Sequence, residues 1–174
     1  FGRVGQIASQ APIAYGAQIS IIDNNPDIIR QADKDGFKVY YGDGAREDIL
    51  HAAGAENADC ILICIDDAHA TTHIVEIAKQ TCPNARLIVR AFDREHAFEL
   101  VKAQADFFVR ETFEAAMSMG NEAVKMLGAD ESQSAEICER VRRIDKERFA
   151  LEVAGDTFAG RALLLKNAPP KAPH

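Results

Sequence analysis

The feature that most constrains the fold of this chain is a regular alternation of short apolar runs with stretches of helical periodicity. Five runs of four to six residues end in polar or glycine-rich turns, at residues 19–22, 38–41, 60–65, 86–90 and 106–109. Continuous apolar runs are typical of parallel strands buried on both faces, and strand–helix alternation indicates helices on both sides of the sheet. The sequence therefore predicts an α/β fold, a Rossmann-like doubly wound parallel sheet.

The chain becomes helical after the last apolar run. Residues 112–127 form a predicted helix that ends at Gly128, and its apolar side chains follow one stripe: Phe113, Ala116, Met117, Gly120, Val124 and Leu127. A second helix is predicted for residues 132–153, and the proline-containing tail 167–174 is expected to be extended and mobile. We therefore divide the chain into an α/β domain (1–110), a helix (111–128) and a helical extension with a mobile tail (129–174).

Composition excludes several classes of function. A chain of 174 residues can bury a core without disulfides or metal, and its net charge of −7 argues against a nucleic-acid partner. No apolar run approaches the ~18 to 20 residues that a membrane span needs. The four cysteines show no CxxC spacing, which indicates reduced, mostly buried thiols in a cytosolic setting.

The chain begins in a glycine-containing turn. Gly2-Arg3-Val4-Gly5 opens a helix and matches the second half of a GxGxxG pattern, in which small residues let backbone amides approach a pyrophosphate. We expect the strand and the first glycine of this pattern to precede Phe1 in the natural chain. Taken alone, the motif slightly favours an ordinary structural turn over a phosphate site.

Asp23 changes this balance. It ends the next strand, 21 residues after Gly2, where the pattern places the acid that binds the ribose hydroxyls. The alternative is that Asp23 or Asn25 caps the helix that begins at Pro26. The turn and the acid together favour a nucleotide site.

Other strand ends lie at the same predicted edge of the sheet. Asp43 is positioned to face the adenosine part, and Ile65 to pack on a ring, although Asp66 and Asp67 individually are more simply explained as helix caps. Arg3 and Arg90 offer positive charge for an anion, but a solvated arginine is the default for either. The candidate nucleotide-binding residues are Gly2, Arg3, Val4, Gly5, Asp23, Asn24, Asp43, Gly44, Ala45, Ile65 and Asp66.

No catalytic constellation is visible in the sequence. The five histidines are scattered, and the i, i+4 pair His69 and His73 has no evident further metal ligand, so a solvated face is the favoured interpretation. The ~45 residues after Gly128 are too few to build the substrate domain of a dehydrogenase. The sequence thus indicates a nucleotide-binding regulator and not an enzyme.

Several motifs resemble a known family. Residues 1–6, 22–27, 39–43 and 53–55 are similar to the potassium-transport nucleotide-binding domain, also called the regulator-of-conductance or TrkA-N-like domain. More narrowly, residues 65–67, 90–93 and 110–114 resemble the cytosolic domain of Kef-type, glutathione-regulated potassium/proton antiporters. The string Arg110-Glu111-Thr112-Phe113-Glu114 is the most specific part of this resemblance.

The resemblance implies a regulatory domain fused to a membrane antiporter, on the cytoplasmic face of the bacterial inner membrane. It also implies a homodimer in which the helix 112–127 crosses to the partner, and bound AMP or NAD(H). Glutathione is implied as a further ligand, with Arg3, Arg90 and Arg110 as candidates for its carboxylates. Two alternatives rank lower, a fragment of an NAD-dependent dehydrogenase and a peripheral subunit of a Trk-type potassium uptake system, because no substrate domain or second ligand domain follows Gly128.

Overall fold

The computed structural model describes residues 1–155, which belong to two compact units. The first unit is Phe1–Thr112 and the second begins at Phe113. The tail 167–174, for which the sequence predicts an extended conformation, lies outside the described residues.

The first unit contains parallel strands at all five predicted positions. Strand β1 (Ser20–Asp23) pairs with β2 (Lys38–Tyr41), while β3 (Cys60–Ile63), β4 (Arg86–Ala91) and β5 (Phe107–Arg110) form a second sheet in that order. All pairings are parallel, which confirms the predicted α/β class. Within residues 1–155 the pairing is divided between β1 and β3.

Helices connect these strands. The order is α1 (Arg3–Ala8), α2 (Gln10–Tyr15), α3 (Pro26–Lys34), α4 (Glu47–Ala52), α5 (Ala68–Thr81) and α6 (Arg94–Lys102), with a single 3₁₀ turn at Ala55–Asn57. Pro26 begins α3 because its missing N–H and fixed φ suit the first helical turn. None of the helices in the described part of the chain is long and apolar enough to cross a membrane.

The main core lies where α5 and α6 cover the three-stranded sheet. Alternate residues of β4 point into it, so that Leu87, Val89 and Ala91 are buried whereas Ile88 and Arg90 are only partly covered. Burying one such leucine or valine stabilises the fold by about 1.5 to 3 kcal/mol. This sheet therefore provides a rigid platform for the side chains at its carboxyl edge.

The expectation that most thiols are buried is wrong. All four cysteines are free, but only Cys82 is buried, while Cys64 and Cys138 are half-buried and Cys60 is exposed. Cys60 begins β3, which has a paired neighbour on one side only within the described residues, and this leaves the start of the strand accessible.

Asp106 joins the start of β4 to α5. Its Oδ2 accepts hydrogen bonds from the backbone N–H of Leu87 at 2.8 Å and from Nζ of Lys79 at 2.7 Å. The Leu87 N–H and then the Lys79 ammonium hold the pKa of this carboxyl below its ordinary value. A depressed pKa means that folding favours the ionised form of Asp106.

Replacing Asp106 with Ala is expected to lower the free energy of unfolding at pH 7 by about 1.5 to 3 kcal/mol, the scale of hydrogen bonds to a charged group. The contribution is present above the unfolded pKa, ~4, and is lost as the pH falls through the lower folded pKa. Denaturant unfolding of both proteins from pH 7 to 3 should show the difference shrinking. The exposed neighbour Asp59 is the control; an equal loss in Asp59→Ala would contradict this assignment.

A helical hairpin forms the described part of the second unit. Helix α7 (Glu111–Met126), which begins at the end of the first unit, is followed by α8 (Glu131–Val153). Near the turn, the buried hydroxyl of Ser134 lies 3.2 Å from the carbonyl oxygen of Asn121 and 2.5 Å from its Oδ1. At the other end, a guanidinium nitrogen of Arg142 lies 2.8 Å from both carboxylate oxygens of Glu114. The two contacts therefore join α7 and α8 at two separate positions along their length.

The apolar residues of α7 divide between two faces. Phe113, Met117 and Val124 are half-buried, and the Phe113 ring lies 5.8 Å from the guanidinium of Arg142 on α8. A second stripe is exposed within this chain: Ala116, Met119, Ala123, Met126 and Leu127. The single stripe that the sequence predicted therefore combines residues that face α8 with residues that do not.

Candidate nucleotide site

The glycine turn leaves its backbone open to approach. Gly2 precedes α1 in an extended conformation, and no side chain caps the first turn of this helix among the described residues. A Cβ added at Gly2 would meet nothing within 4 Å, whereas one at Gly5 would lie 3.7 Å from Cβ of Cys64. A Cβ at position 5 would thus make only an ordinary contact beside the end of β3, while Gly2 leaves room for a ligand against the backbone.

Asp23 faces the turn from the end of β1. Its carboxylate lies against the backbone nitrogen of Phe1, and its Oδ1 accepts a hydrogen bond from the backbone N–H of Asn25 at 2.8 Å. The side chain of Asn25 caps α3 by accepting from the N–H of Asp27 at 2.9 Å. Of the two capping candidates it is therefore Asn25 that caps the helix, and the Asp23 carboxylate is directed to the glycine turn.

The end of β2 lies beside Asp23. The backbone N–H of Gly42 donates to the carbonyl oxygen of Asp23 at 3.0 Å, and Asp43 Oδ1 accepts from the N–H of Ala45 at 2.9 Å. A Cβ at Gly42 would approach Ile49 within 2.8 Å, so only glycine lets the chain pack this closely onto α4. The turn 42–45 is thus held near the Asp23 end of the site.

The end of β3 lies on the other side of the glycine turn. Asp66 pairs with Arg90, and this hydrogen bond together with the charge of Arg90 lowers the pKa of Asp66. The positive charge of Arg3 adds to this lowering of the Asp66 pKa. Asp67 has a different role, because its Oδ1 caps α5 by accepting from the N–H of Ala70 at 2.7 Å.

The structure brings most of the sequence candidates to one edge. The glycine turn consists of Gly2, Arg3, Val4 and Gly5. Asp23 and Asp43 lie on one side of this turn, and Asp66 lies on the other side. Ile65, which is beside Asp66, is partly exposed. Asn24, Gly44 and Ala45 lie in the turns that follow β1 and β2, with Ile74 Cδ1 3.6 Å from a Cβ built on Gly44. No group of three or more His, Cys, Asp or Glu within residues 1–155 could hold a metal ion.

Arg90 and Arg110, which lie at the carboxyl ends of β4 and β5, are both partly buried. Arg90 is paired with Asp66 and Glu111, and Arg110 is half-buried at the end of β5. Sequence reasoning missed Glu111 as part of this edge. The ion pairs of Arg90 span 24 and 21 residues along the chain, and no local motif announces such contacts.

Comparison with protein families decides between the possible relatives of this fold. Residues 1–111 match the TrkA-N domain. The chain belongs to the TrkA-N domain family. Membership identifies it as a regulatory domain and not an enzyme.

Curated relatives of this TrkA-N domain are potassium-efflux proteins. It is 44% identical over 153 residues to a glutathione-regulated potassium-efflux system protein of Haemophilus influenzae, covering 88% of this chain and 25% of the relative. It is 36% identical over 168 residues to the glutathione-regulated potassium-efflux system protein KefC of an Enterobacter strain, covering 95% of this chain and 27% of the relative. The chain spans about a quarter of the length of these relatives.

Solved structures give the same assignment. The Kef CTD of Shewanella denitrificans in its AMP-bound form superposes with a TM-score of 0.81 at 34% identity, covering 88% of this chain and 94% of that one. The TrkA-N domain of the Escherichia coli inner membrane protein YbaL shares the fold, with a TM-score of 0.65 at 23% identity. This match covers 68% of this chain and 87% of that one. The predicted Rossmann-like fold and the Kef-type resemblance are thereby confirmed.

Proposed function

We propose that this TrkA-N domain binds an adenine nucleotide, AMP or NAD(H), and that occupancy regulates a potassium/proton antiporter in the same polypeptide. In this proposal the domain lies at the cytoplasmic face of the bacterial inner membrane. Its relatives are potassium-efflux proteins, and the Shewanella domain carries AMP. AMP and NAD(H) present the same adenosine end, so the residues near Asp23 serve either ligand.

The proposal rests on one observation, which is that the Asp23 carboxylate faces the open glycine turn. The phosphate lies against the backbone at Gly2, where no atom would meet an added Cβ within 4 Å. Free amide groups at the start of a helix, with the favourable end of its dipole, stabilise a negative charge there. The ribose hydroxyls donate to Asp23, whose carboxylate already accepts the N–H of Asn25 and lies against the backbone nitrogen of Phe1.

Glutathione is the second ligand of the proposal. Its carboxylates suit arginine guanidinium groups, which bind them through paired hydrogen bonds. Arg3 on the glycine turn, Arg90 near the end of β4 and Arg110 at the end of β5 are the candidates that the Kef-type resemblance supports. A glutathione carboxylate that binds Arg90 must displace Asp66 or Glu111.

The proposed partner is a second copy of the chain. The exposed stripe of α7 follows a 3-4-3 spacing at Ala116, Met119, Ala123 and Met126, which is typical of a helix that pairs with another. Met126 and Leu127 are 86% and 88% exposed within one chain. Burying this stripe against the same stripe of a second copy removes apolar surface from water.

Native mass spectrometry and calorimetry with AMP, NAD⁺ and NADH test the proposal. We expect one nucleotide per chain, retained in the native spectrum or bound on titration. Gly2→Val should weaken binding by about tenfold or more, which corresponds to ~1.4 kcal/mol, because its side chain occupies the approach to the turn. Its thermal unfolding should be unchanged, since the added atoms meet open space.

The outcome that contradicts the proposal is a folded chain that binds none of the three nucleotides. Wild-type affinity in Gly2→Val would instead place the phosphate away from the glycine turn. Titration of the nucleotide-loaded chain with glutathione tests the second ligand separately, with Arg3→Gln and Arg110→Gln as the variants expected to lose it.

A further inference from the structure

The imidazole of His96 is buried in the first turn of α6 and is held by one hydrogen bond. His96 is 5% exposed, and its Nδ1 accepts a hydrogen bond from the backbone N–H of Phe92 at 3.0 Å. A ring nitrogen that accepts carries no proton, so the neutral ring has its proton on Nε2. Nε2 is also buried and has no hydrogen-bond partner within residues 1–155. The contact with Phe92 therefore requires the neutral form of this ring.

Phe92, the residue that follows β4, is held from two directions. Its N–H donates to His96, and its carbonyl oxygen accepts a hydrogen bond from the hydroxyl of Thr112 at 3.1 Å. Thr112 is the second residue of α7. The Phe92 backbone thus joins the buried ring on α6 to the beginning of α7.

Charged groups on the neighbouring elements act on the ring. Asp93 caps α6 by accepting the backbone N–H of His96 at 2.8 Å, Glu99 lies on the same helix, and Asp67 caps α5. Strand β4 directs only apolar side chains to the α6 side of the sheet, and β5 carries Arg110 there. Burial lowers the pKa of His96 below its ordinary value, and the three carboxylates only partly oppose this effect.

We propose that His96 makes the attachment of α7 to the end of β4 sensitive to acid, through the backbone of Phe92. When Nδ1 binds a proton, its lone pair no longer accepts, and two N–H groups face each other. The imidazolium and the Phe92 N–H then separate, which also weakens the contact between the Phe92 carbonyl and Thr112. No ligand takes part, so this regulation by pH does not depend on the proposed nucleotide site.

The pH range of the response follows from linkage. In the opened form the ring of His96 is solvated and has the ordinary histidine pKa, ~6.5, whereas the closed form binds a proton only at lower pH. Opening is therefore least favourable above pH ~6.5 and becomes more favourable as the pH falls below that value. One proton bound only by the opened form favours opening by at most about tenfold at one pH unit below that pKa.

NMR-detected hydrogen exchange on the 174-residue chain between pH 7.5 and pH 5.5 tests the inference. At pH 7.5 the nitrogen spectrum of His96 should show a neutral ring with its proton on Nε2. At pH 5.5, after correction for the intrinsic exchange rate, protection should fall severalfold, to a limit of about tenfold. This loss is expected at the Phe92 amide and at the amides of Ala115 and Ala116, which close the first turn of α7.

Two variants separate the ring from the contact that transmits its state. His96→Asn retains an oxygen for the Phe92 N–H but does not titrate, so its protection should not depend on pH. Thr112→Val removes the hydroxyl that binds the Phe92 carbonyl, so it should retain the response at Phe92 and lose it at Ala115 and Ala116.

His73→Asn is the matched control, because His73 is exposed on α5 and its loss should leave the response at wild-type values. The inference is overturned if protection at Phe92 is the same at both pH values, or if His96 titrates at or above its ordinary pKa. A wild-type response in His96→Asn would also overturn it. If His96→Asn does not fold, the titration of the wild type and of Thr112→Val decides the question.

Discussion

Replacing Asp23 with Ala is expected to weaken adenine-nucleotide binding by about 1.5 to 3 kcal/mol, or ~10- to 150-fold in Kd. The carboxylate is 12% exposed and directed to the glycine turn, where it lies against the backbone nitrogen of Phe1. Hydrogen bonds to a charged acceptor are among the stronger ones, and removing the acceptor leaves the ribose hydroxyls without a partner. Calorimetric titration with AMP measures the change directly.

Two further variants separate the charge of Asp23 from its structural contact with Asn25. Asp23→Asn retains an oxygen for the Asn25 N–H, so it should keep the fold while still losing affinity, because the charge is gone. Asp33 is exposed on α3, and Asp33→Ala removes the same charge without touching the turn. Unchanged AMP affinity in both Asp23 variants would remove this residue from the site.

Replacing Met119 and Met126 together with Asp is expected to convert the chain to monomers. Both side chains belong to the exposed apolar stripe of α7, and carboxylates buried there would meet each other across a two-fold axis. Unpaired buried charges cost several kcal/mol, so the dimer Kd should rise by ~100-fold or more. Analytical ultracentrifugation over a range of concentrations measures this constant.

The control carries an added charge away from this stripe. Ser118 is exposed and lies about 100° around the helix from Met119, so Ser118→Asp should leave the dimer intact. Phe113 and Val124, which belong to the apolar stripe predicted from the sequence, are half-buried in the single chain and are poorer test positions. A dimer that persists in Met119→Asp with Met126→Asp would contradict the use of this stripe.

Local sequence patterns predicted the secondary structure closely because short apolar runs and helix periodicity are local properties. The second strand was predicted with its observed bounds, Lys38–Tyr41, and the third was predicted to continue two residues beyond its observed end. Helical periodicity did not separate the two apolar faces of α7, because the spacing between Phe113 and Ala116 fits a single helical stripe. The contact between Phe113 and Arg142 marks a face of α7 that packs on α8.

The candidate site was partly predictable. Gly2, Gly5 and Asp23 follow a spacing with a direct physical reason, and the structure brings the turn and the acid together. The partners of Arg90 were not predictable, since Asp66 and Glu111 meet it only through the parallel arrangement of β3, β4 and β5. Ion pairs between distant residues depend on strand order and register, which a single sequence does not specify.

The contacts within the α7–α8 hairpin have a mechanical consequence. Ser134 joins the helices near their turn, and the pair of Arg142 with Glu114 joins them near the opposite end of α7. Two attachment points at different heights prevent one helix from sliding or rolling against the other without breaking a contact. A force that rotates the beginning of α7 therefore acts on α8 as well, so the two helices of the hairpin move together as one unit.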